Sequence, residues 1–173
     1  MTAEAPRLTR FQRMLVSTDG TVTQLLEIYA GEAVEVVKLG QVLDTAGDDD
    51  AELGPLADDK VLRREVLLVG VSSGRVLLHA RAVVVVARVD SSLVDALMAT
   101  DRPLGLLLAD RRTETFREVL HVDREPAGAL AGHFGIAAAD EIVGRTYRLM
   151  AAGVPVALVK ERFPAASYRD ITG

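Results

Sequence analysis

Six runs of strand-forming residues constrain this chain more than any other feature. They lie at residues 34–42, 61–69, 75–88, 115–122, 145–150 and 154–163, each rich in Val, Leu or other β-favouring side chains. Tight turns or short helical stretches join consecutive runs, and strand and helix do not alternate regularly. A parallel sheet needs such alternation, because each parallel connection is a long crossover. The pattern therefore predicts an α+β fold: a six-stranded antiparallel sheet with short helices packed on it, in a single domain over residues 1–173.

The helical signals are brief. Residues 5–17 place Leu8, Phe11, Leu15 and Val16 on one side of an amphipathic helix. Thr21 or Thr23 caps a second helix that Gly31 ends. Residues 91–99 read as a short helix with Ser91 or Ser92 as its cap, and residues 103–108 begin with proline at or near the first helical position. Residues 127–139 read as an Ala- and Gly-rich loop with one helical turn. Residues 44–60 read as an acidic surface loop, either mobile or a lid. The tail over residues 165–173 is expected to be loose.

Composition removes several classes of function. The formal charge of −5 opposes nucleic-acid binding through a basic surface. An aromatic content of 4% gives no stacking platform for single strands. Without cysteine there is no disulfide, thiolate metal site or thiol nucleophile, and His79, His121 and His133 fit no metal-ligand spacing. The longest apolar run, residues 82–87, is far shorter than the ~20 residues of a membrane helix. No apolar segment follows Arg7, Arg10 and Arg13 as in a signal peptide, so a cytoplasmic protein is expected, as monomer or homodimer.

Two motifs suggest chemistry and fail on context. Gly70-Val71-Ser72-Ser73-Gly74 matches the GxSxG nucleophile elbow, which requires strand, turn and helix. Here a strand follows, so a hairpin turn is the better reading. Asp48-Asp49-Asp50 lacks the spaced ligands of a calcium loop and reads as a solvated charge run. No metal site is predicted.

Charges inside strands are more informative. Period two puts Glu161 on one face with Ala157, Val159 and Phe163, while Lys160 and Arg162 take the other. A buried carboxylate there calls for a cation or a proton. Arg64 shares a face with Val66 and Leu68, and Arg81 shares one with His79, Val83 and Val85. Two arginines and a glutamate on apolar strand faces suggest a pocket for a small anion. The competing reading is a buried Arg–Glu pair, or exposed edge positions.

The strand motifs together resemble the chorismate pyruvate-lyase family. The resemblance rests on Asp19-Gly20-Thr21-Val22-Thr23, Leu62-Arg63-Arg64-Glu65-Val66-Leu67-Leu68, Ala80-Arg81-Ala82-Val83-Val84 and Arg102-Pro103-Leu104-Gly105. It continues through Arg145-Thr146-Tyr147-Arg148, Gly153-Val154-Pro155 and Val159-Lys160-Glu161-Arg162-Phe163-Pro164, and so spans roughly residues 7–164. The resemblance implies an enclosed ligand cavity under flap segments. It implies cleavage of chorismate to 4-hydroxybenzoate and pyruvate without metal or organic cofactor. It also implies roles for individual residues. Arg64 would bind the ring carboxylate as a fork, completed by the backbone N–H groups of Val22 and Leu104. Glu161 would face the ring oxygen and handle its proton. Arg81 would meet the enolpyruvyl carboxylate. Arg63 beside Arg64 leaves the assignment to strand alternation, which favours Arg64. Two alternatives remain. One is a non-catalytic module binding a small aromatic acid, related to the effector domains of transcription regulators; the sheet's start near residue 7 leaves no room for a preceding winged helix. The other is an enzyme releasing a different hydroxybenzoate.

Overall fold

The structure is a computed structural model that describes residues 6–19, 21–54 and 58–169. It contains six strands: β1 (Val34–Thr45), β2 (Lys60–Gly70), β3 (Val76–Val85), β4 (Phe116–Pro126), β5 (Glu141–Ala151) and β6 (Val154–Pro164). Five α-helices accompany them: α1 (Arg10–Ser17), α2 (Val22–Ala30), α3 (Ser91–Ala99), α4 (Leu104–Asp110) and α5 (Ala131–Phe134). The sheet order is β1-β2-β3-β6-β5-β4, with every pair antiparallel. Two three-strand meanders thus meet along β3 and β6, as the α+β reading requires.

Local chemistry sets the element ends. Thr9 caps α1: its hydroxyl accepts from the Gln12 amide at 3.2 Å, and the Gln12 side chain accepts from the Thr9 amide at 3.0 Å. This box starts the helix at Arg10 rather than at residue 5, which lies outside the described residues. Gly31 closes α2 in the left-handed conformation at φ 69°. The GxSxG segment is a hairpin turn between β2 and β3. Both Ser72 and Ser73 amides donate to Glu32, so its serines serve the turn.

Register divides the central strands into two chemically different faces. On one face Arg64 lies opposite Ala82, Ala82 opposite Val159, and Val159 opposite Tyr147. The next row runs Val66, Ala80, Glu161 and Arg145. On this face α1 and α2 pack at one end, through Leu15, Leu26, Leu68, Leu78, Phe163 and Tyr168. Helices α3 and α4 pack at the other, through Leu62, Leu93, Leu97, Leu107 and Leu149. Between the two clusters the floor is only alanine-high at positions 80 and 82.

The acidic segment is more ordered than a plain loop, and its charge run is only partly solvated: Asp48 and Asp49 are exposed and Asp50 is buried. Residues 44 and 45 extend β1, residue 60 begins β2, and Asp48–Leu53 form a 3-10 helix; residues 55–57 lie outside the described set. Leu53 is buried with Val61, Val85 and Leu158 on the sheet's second face. Asp50 is 1% exposed and receives both Arg63 terminal nitrogens, at 2.9 and 2.7 Å. The expectation of a loose tail is also corrected as far as Arg169. Tyr168 is fully buried and donates to the Leu77 carbonyl at 2.6 Å. Its ring lies 5.7 Å from Phe11 and 5.4 Å from Tyr29. An aromatic side chain that fills a gap between two helices anchors its own backbone. Residues 170–173 lie outside the described set.

Asp50→Ala is expected to destabilise the fold by about 1–3 kcal/mol, the cost of removing one partner from a buried charged hydrogen bond. Hydrogen bonds from Arg63 hold the Asp50 carboxyl below its ordinary value of 3.8, against the opposing effect of burial. The unfolded chain therefore binds that proton more readily than the folded one. The contribution is complete above pH 3.8 and fades as pH falls through the lower folded value. Urea midpoints of wild type and variant should converge in acid and separate at neutral pH.

Candidate active site

The gap above Ala80 and Ala82 is a cavity of about 90 Å³. That exceeds the roughly 10–15 Å³ required for one water. Its lining is largely apolar, including Val66, Leu78, Leu149 and Val159, with few charged groups. Such a pocket with convergent polar groups is the usual form of a small-ligand site.

Arg64 marks one end. It is 6% exposed, on a face of β2 that it shares with Leu62 and Val66. Nη2 reaches only the Thr100 carbonyl, at 3.4 Å, and Nη1 is buried with no hydrogen-bond partner. Burial pulls its guanidinium below the usual arginine range, and nearby Asp101 opposes this. It remains protonated at neutral pH. An orphaned buried donor costs stability, and an anion in the cavity would satisfy it. Val22 and Leu104 also line the cavity, as the first residues of α2 and α4. First-turn amides have no intrahelical acceptor, so both can donate outward. Pro103 precedes Leu104 at φ −58°, which sets the direction of that turn.

Glu161 also lines the cavity, at 3% exposure. Its Oε2 accepts from Arg145 Nε at 2.6 Å, and Oε1 accepts from the Tyr147 hydroxyl at 2.9 Å. Arg145 is buried at 1% and also donates to the Thr18 carbonyl, at 2.8 Å, in the connection between α1 and α2. Its guanidinium carbon lies 4.9 Å from the Tyr147 ring centre. Burial, then the Glu161 charge, pushes the Tyr147 phenol far above its ordinary range, so it stays a neutral donor. The carboxylate is therefore matched in charge and fixed in direction. Two of its roughly four lone-pair sites remain for a ligand.

Arg81 does not belong to this cavity. Its partners in the ladder are Glu65 and Lys160, and alternation sends all three side chains to the second face. There Arg81 is 62% exposed and donates to Glu65 at 3.1 Å, where His79 also bonds at 2.7 Å. Period two correctly separated Arg81 from Ala80 and Ala82; it could not say which face carries the cavity. Arg63 likewise turns away, to Asp50.

Comparison with known proteins identifies the family. The family model described as chorismate pyruvate-lyase Rv2949c-like matches residues 16–169. The chain belongs to that family. A relative named chorismate pyruvate-lyase from Mycobacterium leprae is 31% identical over 170 residues, covering 96% of this chain and 80% of that protein. One of the same name from Mycobacterium tuberculosis is 30% identical, covering 96% of this chain and 86% of its own. In fold, PhnF from Mycobacterium smegmatis is similar with a TM-score of 0.70 at 16% identity, over 90% of this chain and 68% of that one. The effector domain of PhnF gives 0.67 at 17% identity, over 85% and 90%. These two likenesses concern fold alone.

Three residues that the structure brings to this site carry no role in the sequence reading. Arg145 and Tyr147 stand in a quoted motif but were given no role. Alternation places them on one face of β5, and only the β5–β6 register shows that this face meets Glu161. Arg117 has no periodicity to mark it: it sits among Thr115, Phe116 and Glu118 at the start of an edge strand, yet its side chain lines the cavity.

Arg145→Leu should cost about 3–5 kcal/mol of stability, because it leaves Glu161 buried without its cation. The double variant Arg145→Leu with Glu161→Leu should recover a large part of that loss. Urea denaturation of the three proteins tests both expectations; a double variant less stable than Arg145→Leu would show that the pair is not the source.

Proposed function

We propose that the cavity binds chorismate and that the protein cleaves it to 4-hydroxybenzoate and pyruvate, without metal or organic cofactor. The observation that carries this reading is the pairing, within one small apolar cavity, of a buried arginine whose Nη1 has no partner and a fixed glutamate, in a chain of this family. Arg64, with the Val22 and Leu104 amides, takes the ring carboxylate. The apolar walls hold the ring with its far oxygen toward Glu161.

The reaction then needs little beyond orientation. The hydrogen on the hydroxyl-bearing ring carbon leaves as a proton, and its bonding pair enters the ring. The neighbouring carbon–oxygen bond breaks, and its pair departs with enolpyruvate. That fragment gains a proton at its methylene carbon and becomes pyruvate. Aromatisation drives the step, so the site mainly aligns the substrate and manages protons. Glu161 accepts from the ring hydroxyl and can hold its proton as the ring flattens. None of the described helices is long and apolar enough to cross a membrane.

Purified protein should release pyruvate from chorismate, with 4-hydroxybenzoate as the chromatographed product and no loss on adding EDTA. Pyruvate release at the spontaneous rate sinks the proposal, and 3-hydroxybenzoate would overturn its regiochemistry. Binding of 4-hydroxybenzoate without turnover would favour the second reading, a non-catalytic binding module. Arg64→Ala should abolish binding and turnover, and Arg64→Lys should be nearly as poor because a point charge cannot reproduce the fork. Glu161→Gln should still bind 4-hydroxybenzoate but lose turnover by ~100-fold or more, the usual share of general acid–base catalysis. A Gln variant with near-native kcat would reduce Glu161 to a positioning residue.

A further inference from the structure

Chorismate carries two carboxylates, and the ring carboxylate accounts for Arg64 alone. With Arg81 on the opposite face, the enolpyruvyl carboxylate needs another partner. Apart from Arg64, Arg117 is the only cation among the described residues lining the cavity.

Its surroundings suit that task. Arg117 is half-buried, and its Nε is buried with no hydrogen-bond partner. One terminal nitrogen donates to the Asp19 carbonyl, just before α2. The other lies beside the start of α4, where a Cβ placed on Gly105 would sit 3.6 Å from it. The guanidinium carbon is 5.6 Å from the Tyr147 ring centre. Arg117 is therefore tied to α2, α4 and Tyr147, the elements that bound the cavity between Arg64 and Glu161.

The substrate's shape requires a cation there. The ring carboxylate and ring hydroxyl lie para to one another, so they define the axis from Arg64 to Glu161. The enolpyruvyl ether leaves the ring at the carbon beside the hydroxyl and projects sideways from that axis. Charge balance points the same way. Arg145 already matches Glu161, the one carboxylate among the described lining residues, so the two lining guanidiniums have no carboxylate of their own there. Asp101, which lies near Arg64, is bound to Lys38 at 2.8 Å. A dianion satisfies both guanidiniums; the monoanionic product satisfies one.

We propose that Arg117 binds the enolpyruvyl carboxylate and thereby makes the site favour the dianionic substrate over its product. This rests on the chorismate reading above. Steady-state kinetics on chorismate, with calorimetric titration of 4-hydroxybenzoate, test it in wild type and in Arg117→Met. The variant should raise KM for chorismate by ~10–100-fold, the range expected for a lost charged hydrogen bond. Its kcat should change little, as for loss of uniform binding. Affinity for 4-hydroxybenzoate should stay within about threefold of wild type, since that ligand has no second carboxylate. Arg117→Gln gives the same comparison if the Met variant does not fold. Unchanged KM for chorismate in a folded variant overturns the assignment. So does equal weakening of both ligands, which would make Arg117 a brace for the cavity wall. Absence of turnover in the wild type overturns the chorismate reading, and this assignment with it.

Discussion

The buried pair of Arg145 and Glu161 is the constraint around which the rest of the site is arranged. Glu161 sits on the interior face of a central strand, where an unmatched carboxylate would be costly to desolvate. Arg145, on the adjacent strand and in register with it, removes that cost at 2.6 Å. The same guanidinium reaches the Thr18 carbonyl and stacks near Tyr147. One side chain thereby joins the sheet, the helical cover and the second donor to Glu161. A buried ion pair is a poor source of net stability, since apolar residues of like volume often do as well. Its effect here is positional: both carboxylate oxygens are oriented before any ligand arrives.

The remaining chemistry follows from two-residue periodicity on a sheet with two covered faces. Adjacent arginines, Arg63 and Arg64, point to opposite sides and meet opposite fates. Arg63 closes on Asp50 and secures the 3-10 helix over the second face. Arg64 enters the cavity and keeps one nitrogen unsatisfied. The cavity exists because alanine occupies two positions of β3 whose cross-strand neighbours are Arg64, Val66, Val159 and Glu161. Larger side chains there would close the gap between the two helical clusters.

Much of this was legible in the sequence. All six strands and their antiparallel arrangement followed from turn chemistry and from the lack of regular alternation. Arg64 and Glu161 stood out because apolar residues share their faces. What alternation lacks is an absolute reference. It groups Arg81 with His79 and Val83, but whether that group meets the cavity depends on which face the helices of both ends cover. Asp50 was hidden for a related reason: a run of aspartates reads as solvated, and only the strand register shows that Arg63 turns to the second face and reaches Asp50. Arg117 was invisible because edge-strand residues show little burial pattern, and its reach to α2 and α4 is a matter of tertiary placement.

Charged groups on the two faces differ in kind. The second face carries ion pairs, Arg63 with Asp50 and Asp44 and Arg162 with Glu125, and its buried unpartnered atoms, His79 Nδ1 and Asp123 Oδ1, belong to side chains that also hold a charged partner. On the cavity face Arg64 Nη1 and Arg117 Nε are buried without partners, on guanidiniums with no carboxylate bound to them among the described residues. Each such donor lowers stability by about 1–3 kcal/mol. The sheet tolerates them because two apolar clusters and the Tyr168 anchor hold the surrounding walls independently of the cavity's contents. Binding energy from an anion is then realised against donors already in place, with no rearrangement of the walls to oppose it.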